Sequence, residues 1–182
     1  YLPDENVRFR KEPIIFHEKP PTVSFGGGEK LLEWKRLERT YRGFKLVTNS
    51  GEIKRGEVIG ILGPNGIGKT TFVKILAGIE EADDGRKFGE LRVSYKPQYI
   101  SAEYDGMVQE LLMSVVKDNF SSSWYKTEIL QPLRVDLLLD RNVAELSGGE
   151  LQKVAITLCL SRKADLYLID EPSAYLDVEE RL

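Results

Sequence analysis

A layered α/β fold with a mostly parallel sheet is what this sequence predicts. Three observations carry that expectation. A short apolar run turns through glycines into a helical stretch, a second apolar run ends in two carboxylates, and strand and helix signals alternate along the chain between them.

The first run is Val58-Ile59-Gly60-Ile61-Leu62. It is too short for a helix and rich in β-branched residues, so it reads as a buried strand. Gly63-Pro64-Asn65-Gly66-Ile67-Gly68-Lys69-Thr70-Thr71 follows and fits the phosphate-cradling pattern G-x-x-x-x-G-K-S/T without a gap. Phe72, Ile75 and Leu76 then have helical spacing, and Gly78 supplies a stop. The order has a chemical reason. A strand delivers the loop to a sheet edge, and glycines let successive N–H groups point inward. The helix that follows adds unpaired N–H groups and partial positive charge. Lys69 can then reach the β- and γ-phosphates of a nucleotide, with the Thr70 hydroxyl on Mg²⁺. The competing reading, a glycine-rich turn that happens to hold a lysine, leaves the flanking strand and helix unexplained.

Residues 1–21 hold Pro3, Pro13, Pro20 and Pro21 among many charges and read as an extended leader or hinge. Residues 22–182 read as the domain. Partial alternation through Leu32, Trp34, Leu37, Phe44 and Leu46 predicts two antiparallel strands turning near Arg42-Gly43. Residues 51–56 read as the turn into the phosphate-loop strand, and residues 80–89 as a charged surface loop. Leu91-Arg92-Val93-Ser94-Tyr95 reads as a strand ending at Pro97-Gln98. Helical spacing over residues 107–116, 124–133 and 150–160, with Pro132 as a break, predicts a helical subdomain at about residues 99–160. Leu166-Tyr167-Leu168-Ile169 reads as a second buried strand, and the last residues as the first turns of another helix.

That second strand runs into Asp170-Glu171-Pro172. Neighbours on a strand face opposite ways, so the two carboxylates can take different tasks. Asp170 is expected to hold Mg²⁺, and Glu171 to orient or deprotonate an attacking water. Leu146-Ser147-Gly148-Gly149-Glu150 opens a helix. Its pattern fits a plain N-cap at Ser147 and a second anion site equally well.

Composition bounds the rest. The chain has 182 residues, a net charge of −3 and 41% hydrophobic residues, enough for one domain with a core. Its weak acidity argues against a generic nucleic-acid surface, and sequence-specific DNA binding is not expected. No apolar run approaches the roughly 20 residues of a membrane span. Cys159, the single cysteine, excludes an internal disulfide and a cysteine-ligated iron–sulfur cluster; it reads as a core residue in a cytosolic chain. His17, the single histidine, lies in the polar leader and reads as solvated.

Five motifs now stand in one order: residues 63–71, Gln98 after a strand, residues 146–150, Asp170-Glu171, and Ser173-Ala174-Tyr175-Leu176-Asp177. They resemble the Walker A, Q-loop, signature, Walker B and D-loop elements of ABC-type ATPases. The resemblance implies a P-loop NTPase of ABC type: a mostly parallel core sheet flanked by helices, an N-terminal antiparallel β subdomain and a helical subdomain. It implies ATP and Mg²⁺ as ligands, with Asn65, Gly66, Ile67, Gly68, Lys69, Thr70 and Thr71 on the phosphates. Gln98 would join Thr70 and Asp170 at the metal and sense the γ-phosphate beside Glu171. Ser147, Gly148, Gly149 and Glu150 would act in trans on ATP held by a partner domain, and Asp177 would couple the two sites. An aromatic residue upstream of the phosphate loop would stack on adenine; Tyr41 is the first choice and Phe44 the second, and either could be core instead.

The leader Tyr1-Leu2-Pro3-Asp4-Glu5-Asn6-Val7-Arg8-Phe9-Arg10, the stretch Val93-Ser94-Tyr95-Lys96-Pro97-Gln98, and the sequences around 146–156 and 169–177 resemble the ribosome-recycling ATPase family, also called RNase L inhibitor. Tyr175 and Glu150 are less usual in transporters. This narrower resemblance implies the second nucleotide-binding domain of such a protein, cut short at its C-terminal end, inactive by itself, and paired with a first domain that this chain lacks. Small ribosomal subunits and release or recycling factors would be its partners, and splitting of ribosomal subunits its work. The alternative is the ATPase domain of a membrane transporter. A third reading, an ATP-binding scaffold without turnover, sits poorly with Glu171.

Overall fold

The computed structural model describes residues 29–86, 88, 91–98 and 104–176. The leader, His17, Asp177 and the C-terminal helix expected after it lie outside the described residues.

The described chain begins with antiparallel strands. β1 (Lys30–Trp34) pairs with β4 (Gly51–Lys54), and β2 (Leu37–Tyr41) pairs with β3 (Phe44–Thr48) across the turn at Arg42-Gly43 that the alternation predicts. The strand β4 corrects the expected turn over residues 51–56. It carries one buried apolar residue, Ile53, opposite Leu32, and that is too short a signal for a period to emerge. Gly51 lies opposite Trp34, and a Cβ there would fall 2.3 Å from the indole Cζ2. Only glycine lets the ring lie across the strand. The indole N–H donates to the Asn49 carbonyl at 2.9 Å.

Residues 58–62 depart most from expectation. They form no strand, and Val58 and Leu62 are 97% and 94% exposed. A β segment must place its N–H and C=O groups on a neighbour. Among the described residues the one parallel pair is β5 (Val93–Lys96) with β6 (Leu166–Ile169), and neither strand takes residues 58–62 alongside.

Helix α1 (Lys69–Leu76) packs between the two kinds of sheet. Val73 and Leu76 join Leu32, Ile53, Leu166 and Leu168, while Ile75 joins Leu37, Leu46 and Ala82. Its end is closed by two reversed hydrogen bonds, Gly78 N–H to Ile75 O and Ile79 N–H to Lys74 O, both 3.0 Å.

The second half is helical. α2 (Val108–Val116) leads through a 3₁₀ turn over Lys117–Ser121 to a short α turn, α3 (Ser123–Tyr125), which widens into a π turn over Lys126–Leu130. The helix expected over residues 124–133 is therefore shorter and looser, and it ends before Pro132, which has no N–H to continue it. Helix α4 (Gly148–Ser161) joins the halves. Val154 enters a cluster with Val108, Leu112, Tyr125, Leu130 and Val135. On β5, the Ser94 hydroxyl donates to the Cys159 carbonyl at 2.7 Å.

Candidate active site

The phosphate loop turns into α1 at Gly68, whose φ of 103° lies where side chains are strained. A Cβ there would also meet Phe44 Cζ at 2.9 Å and Leu46 Cδ1 at 3.0 Å. The first helical bond runs from Phe72 N–H to Gly68 O at 2.9 Å. The N–H groups of Lys69, Thr70 and Thr71 thus have no acceptor within the helix, and no acidic residue in the first turn offsets its positive end. The Lys69 ammonium donates to the carbonyls of Gly63 (2.8 Å) and Pro64 (2.9 Å), which folds it over the loop.

A cleft of about 470 Å³ opens at this point. Phe44, Asn65, Gly66, Gly68, Lys69, Thr70, Thr71, Gln98 and Glu171 line it, so the loop, the end of β5 and the end of β6 converge. Ile67 is half-exposed and is not among the lining residues. Phe44 borders the cleft. Tyr41 stacks beside Phe44 with ring centroids 6.2 Å apart, its hydroxyl donates to Glu80, and the Arg39 guanidinium lies 5.0 Å from its ring centre.

Asp170 is 5% exposed, and its Oδ2 finds no hydrogen-bond partner among the described residues. A buried carboxylate oxygen left bare is costly unless a cation meets it. The donor set of Asp170, the Thr70 hydroxyl and Gln98 is all oxygen, as Mg²⁺ requires, and one or two carboxylates plus phosphate oxygens suffice for that ion. The residues fit the metal.

Two side chains that the motifs passed over stand behind this pair. Lys96 is 1% exposed, and its ammonium donates to the Asp170 carbonyl at 2.8 Å and the Glu171 carbonyl at 3.4 Å. Burial pushes its pKa down from the usual lysine value. Gln152 of α4, fully buried, donates through Nε2 to the carbonyls of Glu171 and Pro172, both at 2.9 Å. A lysine two residues after Ser94, on the inward side of a strand, was the available signal for Lys96.

Ser147 caps α4. Its Oγ accepts from Glu150 N–H at 3.3 Å, and Glu150 Oε2 accepts from Ser147 N–H at 2.8 Å. That backbone bond holds the Glu150 carboxyl below its ordinary pKa. Ser147, Gly148, Gly149 and Glu150 line a second open cleft of about 800 Å³ with Arg134, Arg141, Lys153 and Tyr175. It shares no lining residue with the first.

Residues 46–174 match the protein family described as ABC transporter, more than half of the chain. The chain belongs to the ABC ATPase family. ATP and Mg²⁺ are the ligands of such ATPase domains. Over its whole length this ABC ATPase domain is 58% identical to an uncharacterized ABC transporter ATP-binding protein of Methanocaldococcus jannaschii and 40% identical to translation initiation factor RLI1 of Saccharomyces cerevisiae. It covers 30% of each. It also superposes with a TM-score of 0.85 and 56% identity on an archaeal ribosome recycling factor, aABCE1, solved with the ribosomal stalk protein aP1; all of this chain and 35% of that one are covered. The chain thus spans about a third of the length of these relatives. Among the described residues no helix is long and apolar enough to cross a membrane.

Proposed function

We propose that this domain binds ATP–Mg²⁺ in the cleft between the phosphate loop and the end of β6, and hydrolyses it to drive a cytoplasmic two-domain clamp that splits ribosomal subunits. The observation that carries the hydrolytic part is the convergence of Lys69, Thr70, Gln98 and Glu171 on one cleft, with the neighbouring Asp170 holding a buried oxygen that has no hydrogen-bond partner among the described residues.

The chain's own residues divide the work. Lys69 leaves the Gly63 and Pro64 carbonyls and turns to the β- and γ-phosphates, while the α1 N–H groups hold the phosphate oxygens. Thr70, Asp170 and Gln98 would hold Mg²⁺, which neutralises charge on the phosphates. Glu171 accepts hydrogen from the attacking water and orients it. Phe44, at the cleft wall, offers a ring for adenine, with Tyr41 behind it. Ser147, Gly148 and Gly149, on a separate face with Glu150 locking their helix start, would meet the γ-phosphate of ATP held by a partner domain; Asp177 would lie at that junction. Residues 1–21 would form the hinge to the first nucleotide-binding domain, residues 22–182 this domain, and residues 99–160 its helical part. Closure does work because ATP binds the closed pair better than the open one, and a ligand shifts an equilibrium only by that difference.

The recycling role is supported by 56% identity to an archaeal ribosome recycling factor and 40% to a translation factor. A relative solved with a ribosomal stalk protein favours a ribosomal partner over the membrane partner of a transporter ATPase, and small subunits and recycling factors are the partners we propose. In the full-length protein, Glu171→Gln should cut ATP turnover by about 100-fold or more while ATP still binds, a loss on the scale of removing a general base. Unchanged turnover would refute the catalytic assignment. Parent protein that fails to associate with small ribosomal subunits in an ATP-dependent way would remove the recycling role and leave the ATPase standing.

A further inference from the structure

The end of β6 holds an anomaly that the nucleotide-site motifs do not explain. Glu171 has a φ of 47°, in the left-handed region that non-glycine residues rarely occupy. It is also the carboxylate that lines the phosphate cleft. A strained backbone persists only where its surroundings hold it. Here three consecutive carbonyls, those of residues 170, 171 and 172, are held by two buried side chains from different elements. Lys96 reaches Asp170 O at 2.8 Å from β5. Gln152 reaches Glu171 O and Pro172 O at 2.9 Å from α4. The Ala174 N–H closes the turn on Glu171 O at 3.1 Å.

We infer that Lys96 and Gln152 are positioning residues for hydrolysis, which together fix the strained turn that aims the Glu171 carboxylate into the cleft. The inference rests on the reading of Glu171 as the water-activating group. Neither side chain lines the cleft, so neither touches the nucleotide; both act through the backbone of residues 170–172. Their burial argues for this role over a general one. An ammonium and an amide at 1% and 0% exposure are expensive to bury, and apolar residues would fill the same space without that penalty. The clamp also ties the turn to two elements that lead to other proposed site residues. β5 runs through Pro97 into Gln98, and α4 is capped by Ser147, so each element reaches the turn at residues 170–172 through a side-chain hydrogen bond to its backbone.

The test uses the full-length protein and the variants Lys96→Met, Gln152→Met and Glu171→Gln, each measured for kcat and for ATP affinity by equilibrium binding. Both methionine variants keep the side-chain volume and remove the donors. Each should lower kcat by roughly 10- to 100-fold, the scale of misplacing a catalytic group by about an ångström, with ATP affinity changed less than about threefold. Either methionine change added to Glu171→Gln should cause no further loss, because the misplaced group is already disabled; a purely structural role would still add its cost. If Lys96→Met does not fold, Gln152→Met applies the same test from α4. Both single variants keeping kcat within about twofold of the parent, while Glu171→Gln abolishes turnover, overturns this inference alone. ATP affinity falling in step with kcat also overturns it. Glu171→Gln at parental turnover overturns the catalytic reading on which it rests.

Discussion

Gly68 illustrates how much one residue of this site must satisfy. Its φ of 103° and the aromatic and aliphatic carbons 2.9–3.0 Å from any added Cβ both exclude a side chain. Gly68→Ala should therefore lose about 1–3 kcal/mol of stability from backbone strain, and lose ATP affinity with it because Phe44 must move out of the cleft wall. Denaturant unfolding and ATP titration check the two effects together. Lys69→Ala should act differently. Its ammonium meets only loop carbonyls, so unfolding should barely change. ATP should bind about 10- to 100-fold more weakly, as expected for a lost charge-assisted contact of roughly 1.5–3 kcal/mol. Equal affinity in parent and variant would refute the phosphate role. At this scale the sequence singled out Gly68 and Lys69 through one glycine-rich pattern, and the structure places both on one cleft. Lys96 and Gln152 belong to no such pattern. They act on backbone carbonyls brought near by tertiary folding, at sequence separations of 74 and 19 residues.

Among the elements, α4 and the β5–β6 pair hold the site in shape. The reciprocal bonds between Ser147 and Glu150 start α4, so Ser147→Ala should cost about 1 kcal/mol, read by denaturant unfolding. The beginnings of β5 and β6 are joined by Arg92 and Asp165. The Asp165 carboxyl accepts from Arg92 Nε at 3.0 Å and Nη2 at 2.9 Å, and the Asp165 N–H donates to Arg92 O at 2.7 Å. The guanidinium holds this carboxyl well below the usual aspartate range, to about 2. A folded-state pKa depressed in this way adds stability at pH values above the unfolded one. The stability gap between the parent and Asp165→Asn should be constant above about pH 5 and should narrow as pH falls towards 2. Melting curves across that range check it, and a gap that widens in acid would contradict the pairing. Strand β6 was legible because an apolar run ends in charges. Strand β4 was not, because Ile53 stands alone among Gly51, Glu52 and Lys54. Residues 58–62 read as a strand for a sound local reason, yet a strand exists only with a neighbour to take its hydrogen bonds.

At the scale of the whole molecule, two apolar regions share one helix. The helical region gathers Val108, Leu112, Tyr125, Leu130, Val135 and Val154, and the sheet region gathers Leu32, Ile53, Leu166 and Leu168 around α1. α4 belongs to both, through Val154 on one side and the Cys159–Ser94 contact on the other. The phosphate cleft lies against the sheet region, and none of its lining residues comes from the helical cluster. Stability and nucleotide affinity should therefore separate. Leu112 is fully buried, so Leu112→Ala should cost about 2–5 kcal/mol through lost burial and the cavity it leaves. At temperatures where the variant remains folded, its ATP affinity should stay within about twofold of the parent, because the helix that carries Leu112 supplies nothing to the cleft. Unfolding and ATP titration on the same preparation decide it. A large loss of affinity in folded Leu112→Ala would mean that packing in the helical region reaches the phosphate loop, and that the two regions act on nucleotide as one body.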